Sequence, residues 1–205
     1  MLAGHFGLAA IVKSRQPQVP LWALMLSTQL LDVIFVVLYL MGIERLDPIQ
    51  GTTGGYGNFF ITADYTHSLV GALGISLVAA LMAMIPWGRR SGAIIGVMVF
   101  SHWLLDLLVH RADMPILPGN SGGLPRLGLG LWQLPWVSAA MELVLLVIGA
   151  FLYYHAAMRT AIKAERLEAK AGGTPRSFRS QAIVASVALF LFLVGTLAAD
   201  FLGLG

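Results

Sequence analysis

Residues 66–110 read THSLVGALGISLVAALMAMIPWGRRSGAIIGVMVFSHWLLDLLVH. Two apolar runs, 66–87 and 91–110, flank Gly88-Arg89-Arg90. Each is close to the length of about 20 residues that a helix needs to cross a hydrocarbon layer about 30 Å thick. With only that short polar connection between them, the two runs must fold as a tight antiparallel hairpin.

The pattern recurs on both sides. Apolar runs at 21–43, 135–155 and 181–202 complete a set of five, the first preceded by the helix-breaking stretch Pro17 to Pro20. Residues 1–15 form a short N-terminal half-helix, and 156–180 a charged helical extension (Met158 to Lys170) with a break at Ala171-Gly172-Gly173-Thr174-Pro175. Of 205 residues, 58% are hydrophobic and 11% charged, less than half the ~25% charged residues of soluble domains. The expectation is one domain over 1–205: an all-α, polytopic integral membrane bundle with five transmembrane helices. No internal repeat supports an inverted-repeat transporter.

Lys13, Arg15, Arg89, Arg90, Arg159, Lys163, Arg166, Lys170, Arg176 and Arg179 fall on one side of this arrangement, and only Arg45, Arg111 and Arg126 on the other. The positive-inside rule then places loops 44–65 and 111–134, and the C-terminus, on the non-cytoplasmic side. The net charge of +3 forms no basic patch interleaved with aromatics, so nucleic acid is not an expected partner; membrane lipids are. Trp22, Trp87, Trp132, Trp136 and Tyr154 fit interfacial aromatic belts. Lys13 and Arg15 follow the first apolar stretch, the reverse of a signal peptide's order, which predicts that it stays on the mature protein.

Ionisable residues inside the spans demand a purpose, since each costs at least about 2.5–3.5 kcal/mol in hydrocarbon. Asp32 lies in the first span, His102 and Asp106 in the third and Glu142 in the fourth; Asp64 and His67 open the second and His110 closes the third. His102, Asp106 and His110 follow i, i+4, i+8 and share a helix face; Asp64 and His67, three apart, are expected to share one too. A helix ending at Lys13 carries His5 about 12 Å into the bundle. With no cysteine in the chain, His and carboxylates are the strong ligands left. Carboxylates gathered in low dielectric repel unless neutralised, and a divalent metal is the simplest neutraliser: zinc, or manganese or iron. Asp64, Arg111, Asp113 and His110 lie at the outer interface and read as a solvated ion-pair rim or as substrate contacts, Asp200 as reaching outer water, and the glycine-rich stretches Gly51–Gly57 and Gly119–Gly130 as loops capping the pocket.

Gly4-His5, Gln29-Leu30-Leu31-Asp32, Asp64-Tyr65-Thr66-His67-Ser68 and Ser101-His102-Trp103-Leu104-Leu105-Asp106 together resemble the YdjM-like family of predicted membrane-bound metal-dependent hydrolases. His110-Arg111-Ala112-Asp113-Met114-Pro115 and Gly128-Leu129-Gly130-Leu131-Trp132 resemble a bacterial branch often labelled permease. The resemblance implies the bacterial inner membrane, a hydrolytic activity and metal ligands at His5, Asp32, His67, His102 and Asp106. That family's first span commonly carries a Pro-Asp-x-Asp-His run, whereas Asp32 is followed by Val33, Ile34 and Phe35, which points away from two metals toward one or none.

Three functions follow as expectations. The first is a metal-dependent hydrolase, with Glu142 or Asp64 shuttling protons, acting on a lipid or lipid-linked ester or phosphoester. The second is a small transporter or proton-conducting protein using the same Asp/His chain as a relay. The third is a noncatalytic accessory subunit of a larger membrane complex or homo-oligomer, its histidines structural or holding a pigment or haem.

Overall fold

The apolar runs form helices whose ends and bends are set by a few polar and small residues. In the computed structural model, which describes residues 1–49, 56–171 and 177–203, the elements are α1 (Leu2–Arg15), α2 (Leu21–Thr28), α3 (Leu30–Leu40), β1 (Arg45–Pro48), β2 (Phe59–Thr62), α4 (Leu69–Val109), α5 (Pro135–Lys170) and α6 (Phe178–Leu202). Three helices, α4, α5 and α6, are long and apolar enough to cross a membrane; α2 and α3 meet that test only as a pair, bent by 51°. The chain is compatible with a membrane protein. Parts of two expected loops, residues 51–55 of the glycine-rich stretch and 172–175 of the linker, lie outside the described residues.

The 41-residue α4 is not one straight rod. Gly88 leaves helical geometry at φ 79°, ψ 170°, a conformation that glycine adopts without the Cβ clash. Beyond it the chain doubles back: Gly96 lies against Ser76 and Ala80, and Gly92 against Ala80 and Met84. Small residues on both arms let the backbones approach closely, the packing that membrane helices favour. The expected hairpin is thus present. Its first arm begins later than residue 66, at Leu69, because Ser68 caps it by accepting from the Gly71 N–H at 3.0 Å.

The first expected span, 21–43, is broken. The Ser27 and Thr28 hydroxyls bond back to the carbonyls of Leu24 and Met25, each at 2.8 Å, an arrangement that bends helices. Gln29 then takes φ −113°, ψ 3°, and α3 ends at Leu40. The fourth span and its charged extension are instead continuous as α5. Loop 44–65 contains an antiparallel ribbon pairing Arg45 with Thr62 and Pro48 with Phe59, a small addition to an otherwise helical fold.

α1, 14 residues long and so about 21 Å, is a half-helix as expected. It lies along α5, where a methyl on Gly149 would meet the Gly7 carbonyl oxygen and one on Gly7 the backbone of Leu145 and Leu146. The N–H groups of Ala3 and Gly4 donate to Asp200 Oδ2 at 3.2 Å and Glu142 Oε2 at 3.0 Å. Two carboxylates thereby satisfy donors that a helix start leaves open. Asp200, expected to reach outer water, is turned inward by this bond.

Gly149→Val should force α1 off α5 and lower stability in detergent by roughly 1–3 kcal/mol. Gly74→Ala, whose methyl meets no neighbour, should be neutral or stabilising by about 1 kcal/mol. Thermal melts of both variants check this; equal effects would contradict the packing argument.

Candidate metal site

Three elements converge at one end of the bundle. α3 supplies Asp32, the turn before α4 supplies His67, and the second arm of α4 supplies His102 and Asp106. His67 Nε2 lies 3.3 Å from His102 Nε2, 3.4 Å from Asp32 Oδ1 and 3.5 Å from Asp106 Oδ2. His102 Nε2 lies 3.4 Å from Asp32 Oδ1 and 2.9 Å from Asp106 Oδ2. One ligand atom from each residue falls within 4.8 Å of all the others, so the group can hold a metal ion.

The groups behind the rings decide which nitrogens face inward. His102 Nδ1 lies 2.6 Å from the Thr28 carbonyl oxygen, brought there by the bend at Gln29. A carbonyl only accepts, so Nδ1 carries the proton and neutral His102 presents a bare Nε2 to the cluster. Thr66 Oγ1 is 2.9 Å from His67 Nδ1 and 2.9 Å from Glu44 Oε2. Glu44, as a carboxylate, accepts the Thr66 hydroxyl proton; that hydroxyl accepts from His67 Nδ1, so that neutral His67 also presents a bare Nε2. Glu44 is itself anchored by the N–H groups of Tyr65 and Thr66 at 2.8 and 2.9 Å. Trp103 locks the two arms of α4 together here, its indole N–H donating to the His67 carbonyl at 2.8 Å.

His5, expected as a ligand, is not one of the four. Its Nε2 lies 3.1 Å from Asp106 Oδ1, the oxygen turned away from the cluster, and its ring stacks on His102 at 4.1 Å. It buttresses Asp106 from behind. Asp64 is diverted too: residues 64–67 form a turn before α4, so three-residue spacing does not align them, and Asp64 pairs with Arg126 at 2.8 Å. Glu142 is buried, with Oε2 on the Gly4 N–H. Its Oε1 and the neighbouring Tyr56 phenol are both buried. Burial and the neighbouring Glu142 carboxylate push the Tyr56 phenol up.

Two residues expected at a solvated rim are buried instead. His110 Nδ1 meets Asp113 Oδ1 at 3.0 Å, and His110 Nε2 reaches within 3.6 Å of Asp106 Oδ2. Trp132 covers the His110 ring at 4.4 Å. The regular spacing from His102 already carried the signal for His110. Nothing in the sequence marks Glu44, which follows an apolar run and reads as interfacial, and the role of the Thr28 carbonyl depends entirely on the bend.

The cluster opens on one side. Asp32 is the exposed member, its side chain 47% accessible. A cavity of about 70 Å³ beside His67, Asp106, His110 and Trp132 shares Asp32 and Phe35 with a groove of about 380 Å³. Val36, Leu46, Phe59 and Ile61 give that groove apolar walls. Comparison with family models, curated proteins and solved structures found no match.

The Nδ1 protons of His67 and His102 should persist whatever binds opposite them. Imidazole ¹⁵N spectra recorded with and without added zinc test this, the expected change being confined to Nε2. A proton on Nε2 in the zinc-loaded protein would contradict the assignment.

Proposed function

We propose that the chain is a five-pass membrane protein and a metal-dependent hydrolase, cleaving a lipid or lipid-linked ester at a single metal held in the outer half of the bilayer. The observation that carries this reading is the pair of imidazoles whose Nδ1 protons are engaged from behind, leaving bare nitrogens aimed at two carboxylates. Four such atoms need positive charge among them, which a metal ion supplies or a proton on each Nε2. The spacing is compatible with zinc: ligands about 2.0–2.1 Å from a tetrahedral ion sit about 3.3 Å apart, the five separations that involve a histidine run from 2.9 to 3.5 Å, and all four atoms lie within 4.8 Å of one another. Manganese or iron would favour a larger, oxygen-richer set.

Five passes follow from counting the two arms of α4 separately and the bent pair α2 and α3 as one. The basic residues gather at the end opposite the site, where Arg90 meets Gln16 at 3.4 Å; positive-inside orientation then puts that end in the cytoplasm and the site toward the outer leaflet. With this topology the C-terminus is non-cytoplasmic and the host is the bacterial inner membrane.

When bound, the metal supplies Lewis acidity and a water activated near neutral pH. The chain's residues do the rest. Asp32, half exposed, stands where substrate arrives from the apolar groove, whose described residues include no Lys or Arg. His110, oriented by Asp113 with Nε2 toward the cavity, takes the proton-transfer role in place of Asp64. Glu142 holds the first turn of α1, and through it His5, in place. A proton path across the bundle is disfavoured, because between the site and the basic end the described buried residues include apolar Ala9, Leu24, Met98 and Leu146, and the buried Ser76 and Ser186 hydroxyls donate back to carbonyls of their own helices.

Metal analysis by mass spectrometry, after purification without affinity histidines or chelators, should find one ion per chain and none in His102→Ala. Thr66→Val should weaken binding by about 10–100-fold without abolishing it. His110→Gln should keep the metal while slowing hydrolysis of a lipid ester by about 10²–10⁴-fold. Hydrolysis that survives both chelation and His102→Ala would sink the proposal.

A further inference from the structure

At the end opposite the metal site, α1, α5 and α6 frame an open cavity of about 600 Å³, flanked by a second open one of about 340 Å³. The two share Ser14, Ala156 and Arg159. Lys13 and Arg159 line the larger, and Arg15, Arg159 and His155 the smaller; neither is lined by an Asp or Glu among the described residues.

The cations are held without anionic partners. Lys13 Nζ donates to the carbonyls of Pro17 and Val19, both at 2.8 Å, which fixes the ammonium at the end of α1 but does not neutralise it. Burial pushes its amine below the usual lysine range. Arg15 and Arg159 make no ion pair among the described residues, while Glu165, further along α5, is committed to Arg179 at 2.7 Å. Three positive charges therefore converge on a space that offers them no counter-charge. Its remaining walls mix neutral polar groups, Ser14, Thr160 and Gln181, with apolar ones, Phe151 and Leu152 leading along α5 toward the middle of the bundle and Ala182 and Ala185 along α6.

We propose that these joined cavities bind an anionic phospholipid of the cytoplasmic leaflet, its phosphate held by Lys13, Arg15 and Arg159 and its acyl chains laid along Phe151 and Leu152. Basic pockets between helices on that side of a membrane have the charge and the depth for such a headgroup. Guanidinium groups grip phosphate through paired N–H donors, and the ammonium adds a compact charge. The site rests on the membrane topology proposed above and not on the metal chemistry. Because α1 carries both Lys13 and His5, a lipid seated here also braces the half-helix that buttresses the metal ligands.

The full chain in a nonionic detergent, titrated with phosphatidylglycerol or with phosphatidylcholine of the same acyl chains, tests this by native mass spectrometry. One phosphatidylglycerol should be retained with about tenfold preference, a difference of the size that paired charges produce. Lys13→Gln and Arg159→Gln should each cut that preference severalfold. Lys163→Gln, an exposed cation outside both cavities, should leave it unchanged, and metal content should stay at the wild-type value in the Arg159 variant. Arg159 makes no bond that the fold relies on, so its variant remains decisive if the Lys13 variant fails to fold. Equal binding of the two lipids, or equal loss in the Lys163 variant, would overturn the assignment. So would displacement of phosphatidylglycerol by an equal concentration of inorganic phosphate.

Discussion

Between Asp32, His67, His102 and Asp106, two carboxylates and two imidazole nitrogens face one another, with Asp32 half exposed and the other three buried. Like acceptors at about 3 Å in low dielectric repel strongly, and much of the surrounding structure is arranged to hold them there. Glu44 through Thr66 and the Thr28 carbonyl fix the rings; His5 and the His110–Asp113 pair occupy the flanks of Asp106. Such outer partners orient the four side chains and fix their tautomers.

Holding those groups requires backbones to come close, and that is the work of small residues far from any charge. Gly92 and Gly96 let the second arm of α4 lie against Ser76 and Ala80, which carries His102 beside His67. Gly7 and Gly149 do the same for α1 and α5, which carries His5 to Asp106. The chemistry at one end therefore depends on packing along the length of the bundle.

The two ends divide the polar labour. Acceptors concentrate at the end that opens onto the groove, and cations at the end where α1, α5 and α6 frame the basic cavities, with apolar clusters between them. That separation argues for two independent sites rather than one conduit. α1 is the element they share, capped by Glu142 and Asp200 at its start and anchored through Lys13 at its end.

The sequence by itself determined where the long apolar runs lie, that the chain reverses at Gly88, and that His102, Asp106 and His110 share a face beside His67; the resemblance added Asp32 and His5. Length, hydropathy and i, i+4 spacing are local quantities, and a helix face is computable from spacing alone. Only the tertiary structure decided the bend at Gln29, the turn that sends Asp64 to Arg126 while His67 faces inward, the burial of Glu44, His110 and Asp113, and the place of His5 behind Asp106. Each depends on which atom of a side chain meets a partner distant in sequence. Spacing along one helix sets a direction, but only packing against another sets a distance.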